Sequence, residues 1–82
     1  MTLPDQLTIY STEWCGYCHR LMRQLDREGV GYDVVNIEHE PDAADYVMSV
    51  NGGNQTVPTV VFPDGTALTN PSLHQVKERL AS

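Results

Sequence analysis

Two cysteines three positions apart carry the strongest chemical signal in this sequence. Cys15-Gly16-Tyr17-Cys18 contains the only two cysteines of the 82-residue chain. They follow a short β-favouring run, Leu7-Thr8-Ile9-Tyr10, and open an amphipathic helical stretch. In a small acidic protein with no export signal, a C-x-x-C pair at such a junction points to thiol–disulfide exchange. That chemistry needs a thiolate, and a helix start favours one through its unpaired N–H groups and the positive end of its macrodipole. Cys15, at or just before the helix start, is expected to accept hydrogen bonds from amides near Cys18. It should therefore ionise below the free-thiol value of about 8.5. Cys18 lies one turn further in, faces the core and is expected to be less ionised. Cys15 is thus read as the nucleophile and Cys18 as the resolving thiol. Arg20 and Arg23 add to the local positive field, and Glu13 opposes it.

The same residues admit other chemistries. The pair could be a structural disulfide or two inert core thiols, although its placement argues for reactivity. Cys15 to His19 also matches C-x-x-C-H, the attachment motif of c-type haem. Haem attachment goes with export, which the sequence does not suggest. A structural zinc site needs a second closely spaced ligand pair, whereas His19, His39 and His74 stand far apart. Glu38-His39-Glu40 reads as a solvated turn before Pro41 in preference to an acid–base cluster.

The elements that position the cysteines follow from periodicity. Residues 7–11 form a buried strand. From Gly16 to Glu28, the residues Cys18, Leu21, Met22 and Leu25 fall on one helical face, with Arg20, Arg23, Arg27 and Glu28 opposite. Gly29 and Gly31 end that helix. Tyr32 to Ile37 is a second strand. Pro41 opens a second helix, with Ala44, Val47 and Met48 at helical spacing. Asn51-Gly52-Gly53-Asn54-Gln55 is a breaker loop. Thr59 to Phe62, a Pro63-Asp64-Gly65 turn and Thr66 to Thr69 make a β-hairpin. Asn70 is expected to cap a last helix with Pro71 at its first position and Leu73, Val76 and Leu80 as its apolar stripe. The order β-α-β-α-β-β-α predicts an α/β fold in which a central mixed four-stranded sheet is flanked by three helices.

Composition narrows the function. Residues 1–82 make a single domain with room for one modest core. Five basic against eleven acidic residues give a net charge of −6, with no Lys/Arg cluster to track a phosphate backbone, so no nucleic acid is expected. Met1 to Gln6 shows no basic region followed by an apolar core, and no apolar run reaches the roughly 20 residues of a membrane helix. A monomer in the reducing cytoplasm, without membrane contact, is expected, and there a lone cysteine pair is reactive more often than structural.

The chain resembles the glutaredoxins, of the thioredoxin-like fold, over nearly its whole length. The resemblance rests on Cys15-Gly16-Tyr17-Cys18, on Thr56-Val57-Pro58-Thr59 and on the element order. It implies a cis bond at Val57-Pro58, with Pro58 against the cysteines and the Val57 backbone pairing with the peptide of a bound thiol. The alternative is a purely structural Pro58 opening an edge strand. Within that family the likeness runs to the mycoredoxins of actinobacteria. Trp14, the segment Ser49 to Asn54 and the later Asp64-Gly65 and Thr69-Asn70-Pro71-Ser72 carry it.

Glutathione-using members carry a lysine shortly before the first cysteine, where this chain has Tyr10-Ser11-Thr12-Glu13. They also carry a Gly-Gly pair and an Asp where this chain has Thr69-Asn70-Pro71-Ser72. A polar rim of hydroxyls and amides suits a sugar-based thiol such as mycothiol. The resemblance therefore implies reduction of mixed disulfides between mycothiol and client proteins, with no bound cofactor and with NADPH entering through a separate reductase. Trp14, Gly16, Tyr17, Val57, Pro58 and Asn70 are the implied substrate-binding positions. Two alternatives remain open: a dithiol donor to ribonucleotide reductase recharged by thioredoxin reductase, and an iron–sulfur cluster bridging two copies, which Gly16 would permit by relaxing the turn.

Overall fold

The computed structural model describes residues 7–81. The sequence reading of Met1 to Gln6 lies outside the described residues. Seven elements run in the order β1 (Leu7–Ser11), α1 (Gly16–Arg27), β2 (Tyr32–Asn36), α2 (Pro41–Val50), β3 (Thr59–Val61), β4 (Ala67–Thr69) and α3 (Leu73–Ala81). The strands form one sheet in the order β2-β1-β3-β4. β1 and β2 are parallel, and a parallel pair needs a crossover, which α1 provides. β3 runs antiparallel to β1 and to β4, so the sheet is mixed, as expected.

Alternation along β1 divides the chain between the two faces of the sheet. Leu7 and Ile9 join Leu21 and Leu25 of α1, Val60, Phe62 and Val76 of α3 in one buried cluster. Leu25 is wholly buried, which contributes roughly 2 kcal/mol. Tyr10 points the other way and meets Tyr46 of α2, with ring centroids 5.3 Å apart. Thus α1 and α3 cover one face and α2 the other.

The end of α1 shows why the sequence breaks there. Gly29 sits at φ +71°, its N–H donates to Asp26 O, and Val30 N–H donates to Leu25 O at 3.0 Å. This pair of bonds is the Schellman closure that a left-handed residue makes possible, and glycine takes that conformation without a steric penalty. Lys77 Nζ on Glu28 Oε1, 2.6 Å, ties α3 to the same end of α1.

The last helix differs from the sequence expectation. Asn70 does not cap it: α3 begins at Leu73, and Ser72 is the cap. Gln75 N–H donates to Ser72 Oγ at 3.2 Å, while Ser72 N–H donates to Gln75 Oε1 at 2.8 Å. This reciprocal capping box satisfies two helix-start donors at once. Pro71 is therefore buried ahead of the helix instead of forming its first turn. Of the anticipated stripe, Val76 is buried, Leu73 is half-buried and Leu80 is exposed near the chain end. On α2 only Val47 is fully covered, with Ala44 and Met48 half-buried.

Candidate active site

Cys15 occupies the N-cap of α1, with extended dihedrals of φ −82° and ψ 104°. That conformation turns its side chain back over the first helical turn, where Cys18 N–H donates to Cys15 Sγ at 3.2 Å. No acidic residue lies in the first turn to offset the positive end of the helix. The two sulfurs are joined as a disulfide with Cα atoms 5.3 Å apart, the separation that a C-x-x-C turn offers without rearrangement. Cys15 retains slight exposure while Cys18 has none. An incoming thiol or disulfide thus meets Cys15 first.

The loop that delivers Cys15 is fixed at both ends. Cys15 N–H donates to Thr12 O at 3.3 Å, and the ring of His19 reaches back to Glu13 O at 2.8 Å. A carbonyl only accepts, so His19 Nε2 carries the proton in this contact. His19 is thus a brace for the loop. Among the described residues no three His, Cys, Asp or Glu side chains gather where they could hold a metal ion.

Every candidate binding residue lies at one end of the sheet. Parallel pairing sends the loops after β1 and β2 out of the same edge, the position where open α/β sheets characteristically bind ligands. The first loop carries Trp14 and the second Glu38, and Trp14 Nε1–H donates to Glu38 Oε2 at 3.2 Å. β3 enters at that end, since Thr59 pairs with Tyr10. Continuing this register by one residue sets Pro58 opposite Ser11. The Val57-Pro58 bond is cis, as the resemblance implied, and Pro58 is wholly buried.

β4 leaves at the same end, since Thr69 pairs with Thr59. Asn70 follows, at φ +46°, and its N–H donates to Pro58 O at 2.7 Å. Asn tolerates this left-handed region better than most residues. Freed from capping, Asn70 is exposed at the site instead. Trp14 and Tyr17 are 73% and 67% exposed, so two large aromatic faces flank the cysteines with little to cover them. Gly16, the first helical residue, is also exposed, and a Cβ added there would meet nothing within 4 Å.

A cavity of about 300 Å³ continues from Tyr17 to Asn70, between α1 and the start of α3. Arg20, Gln24, Ser72 and Gln75 are among its polar lining residues. The sequence named the two ends of this cavity and gave Arg20 only a part in the local positive field, but it missed Gln24 and Gln75. Arg20 and Gln24 sit about one and two helical turns beyond Tyr17, so the period of 3.6 was the signal that could have placed them in this lining. Asn51, which ties the cis-proline loop to β4, was read as part of a breaker loop and of the segment that carries the mycoredoxin likeness, with no role of its own. No local pattern could assign it otherwise.

Comparison with known proteins agrees with this geometry. The glutaredoxin family profile matches residues 7–67. A Mycobacterium tuberculosis protein described as a glutaredoxin is 60% identical over 74 residues, covering 90% of this chain and 88% of the relative. Mycoredoxin 1 of Corynebacterium glutamicum is 46% identical over 72 residues, covering 88% and 89%. The crystal structure of a glutaredoxin from Archaeoglobus fulgidus superposes with a TM-score of 0.77 at 26% identity, covering 96% of this chain and 89% of the other. The chain belongs to the glutaredoxin family of thiol–disulfide oxidoreductases, and it is similar to the actinobacterial glutaredoxins and mycoredoxin.

Proposed function

We propose that the protein reduces mixed disulfides between mycothiol and proteins. The observation that carries this function is the N–H of Cys18 directed at Cys15 Sγ from the first turn of α1. A charged acceptor is held more strongly there than a neutral one, so the thiolate is favoured over the thiol. Identity with Mycoredoxin 1 at 46% supports mycothiol as the thiol.

In the first step the Cys15 thiolate attacks the mycothiol sulfur of the mixed disulfide. The client sulfur leaves as a thiolate and takes a proton from solvent, and Cys15 now carries mycothiol. A second mycothiol thiolate attacks the bound mycothiol sulfur and releases the Cys15 thiolate with the mycothiol disulfide. An NADPH-dependent reductase recycles that disulfide. Alternatively the Cys18 thiolate attacks Cys15 Sγ, releases mycothiol and gives the Cys15–Cys18 disulfide, the bonded state described above. Both routes are thiol exchanges, driven by position and protonation state, with no bound cofactor.

Trp14 and Tyr17 wall the groove, and exposed Gly16 leaves the approach to the helix start unobstructed. The Val57 backbone pairs with the amide of the bound thiol beside Pro58, and Asn70 faces its polar end. The protein works as a single-domain monomer in the cytoplasm, with mycothiol and mycothiolated clients as its partners.

An NADPH-coupled assay tests this function by offering the protein mycothiol with its reductase, glutathione with its reductase, or thioredoxin reductase alone. Turnover is expected with mycothiol. Turnover with glutathione only overturns the thiol assignment, and direct recharging by thioredoxin reductase alone would favour a dithiol carrier.

A further inference from the structure

We infer that Asn51 is a positioning residue that sets the spacing between the cis-proline segment and Asn70 in the substrate groove. It lies just beyond α2, far along the chain from both cysteines, and is half-buried. Its side chain joins three separate segments. Asn51 Nδ2 donates to Val47 O in the last turn of α2 at 2.8 Å and to Thr59 Oγ1 at the start of β3 at 3.1 Å. Asn51 Oδ1 accepts from Thr69 Oγ1 at the end of β4.

The direction of every proton in this network is fixed. Val47 O can only accept, so the amide must present Nδ2 to it and Oδ1 to Thr69. Thr59 donates its own hydroxyl hydrogen to Thr56 O at 2.8 Å, so its oxygen can only accept from Asn51. Thr69 must then donate.

The two threonines are the residues on either side of the groove elements. Thr59 follows Pro58 directly, and its second bond holds Thr56, so the cis-proline segment is gripped at both ends. Thr69 precedes Asn70 directly, and Asn70 N–H closes on Pro58 O at 2.7 Å. Backbone pairing of Thr59 with Thr69 alone leaves this end of a three-residue strand pair free to fray. The Asn51 carboxamide locks it from the side. Displacing such a segment by 1 Å is enough to cost a thiol exchange on the order of 10²-fold in extreme cases. The inference rests on the proposed groove as the substrate site, but not on which thiol fills it.

The test replaces Asn51→Asp and, separately, Thr69→Val and Thr69→Ser. Asp keeps the shape of Asn51 but turns both donors into acceptors facing Val47 O and Thr59 Oγ1. Thr69→Val removes only the hydroxyl, so it serves as the test should Asn51→Asp fail to fold. Turnover is measured on the mixed disulfide of mycothiol and, in a second arm, on the corresponding glutathione mixed disulfide. Alkylation of Cys15 by iodoacetamide is followed in parallel.

KM is expected to rise about tenfold in Asn51→Asp and several-fold in Thr69→Val on whichever disulfide the wild type turns over. Alkylation should stay within about twofold, because no bond of the network touches α1. Thr69→Ser, which keeps the hydroxyl, should retain the wild-type KM. An unchanged KM in both folded variants overturns the inference, as does an alkylation rate that falls in step with kcat/KM. Failure of the mycothiol arm alone would sink the thiol assignment and leave the role of Asn51 standing.

Discussion

Replacing Ser72→Ala should destabilise the protein, whereas Asn70→Gly should not. Ser72 Oγ accepts from Gln75 N–H, and Gln75 Oε1 accepts from Ser72 N–H, so both bonds depend on the cap conformation. Losing a serine cap costs about 1 kcal/mol. An 82-residue chain has an unfolding entropy of roughly 0.17 kcal/mol per kelvin, so this cost lowers Tm by about 6 °C. Adding Gln75→Ala should lower it by less than the sum of the two single changes, because the bonds are reciprocal. Asn70→Gly keeps the N–H that reaches Pro58 O and suits φ +46°, so Tm should stay within about 2 °C. Thermal unfolding followed by far-ultraviolet circular dichroism measures both. A Tm unchanged in Ser72→Ala and lowered by several degrees in Asn70→Gly would mean that Asn70 is the cap after all, and would refute the separation of cap from groove.

Three shorter predictions accompany it. Cys15→Ser should abolish turnover, and Cys18→Ser should keep more than about a tenth of it on mycothiol mixed disulfides, since the second mycothiol replaces the internal thiol; an equal loss in both would require Cys18 in every cycle. Burial and the hydrogen bond to Asp26 raise the ionisation of Tyr32 above its ordinary value near 10. Its folded pKa is the higher one, so its contribution is complete below about pH 10 and disappears as the pH rises through the folded value. Urea unfolding of wild type and Tyr32→Phe should therefore show a stability gap that is constant up to about pH 10 and closes above it.

Most of the scaffold was legible because short-range rules determine it. The period of Cys18, Leu21 and Leu25 gave the buried face of α1, and the glycine at 29 marked its end. The start of α3 was misplaced because Asn70-Pro71 satisfies the same local rules as a cap followed by a first-turn proline. The Ser72-x-x-Gln75 pattern of a capping box was present too. What decided between them is tertiary: Asn70 N–H is committed to Pro58 O, which no window around residue 70 contains. The same limit hid Asn51, whose partners lie up to 18 residues away, and Trp14 with Glu38, 24 apart. The cysteine pair was legible because its chemistry depends on one helix turn. The groove around it was legible only through the resemblance, because no local pattern reports loops that converge from separate parts of the chain.

The central claim is that Cys15 is held as a reactive thiolate by the first turn of α1. Its most direct measurement is the alkylation rate of Cys15 in reduced Cys18→Ser protein between about pH 4 and pH 9. The rate should reach half its maximum well below about 8.5, the value for an ordinary thiol. A half-maximum at the ordinary value would contradict the account.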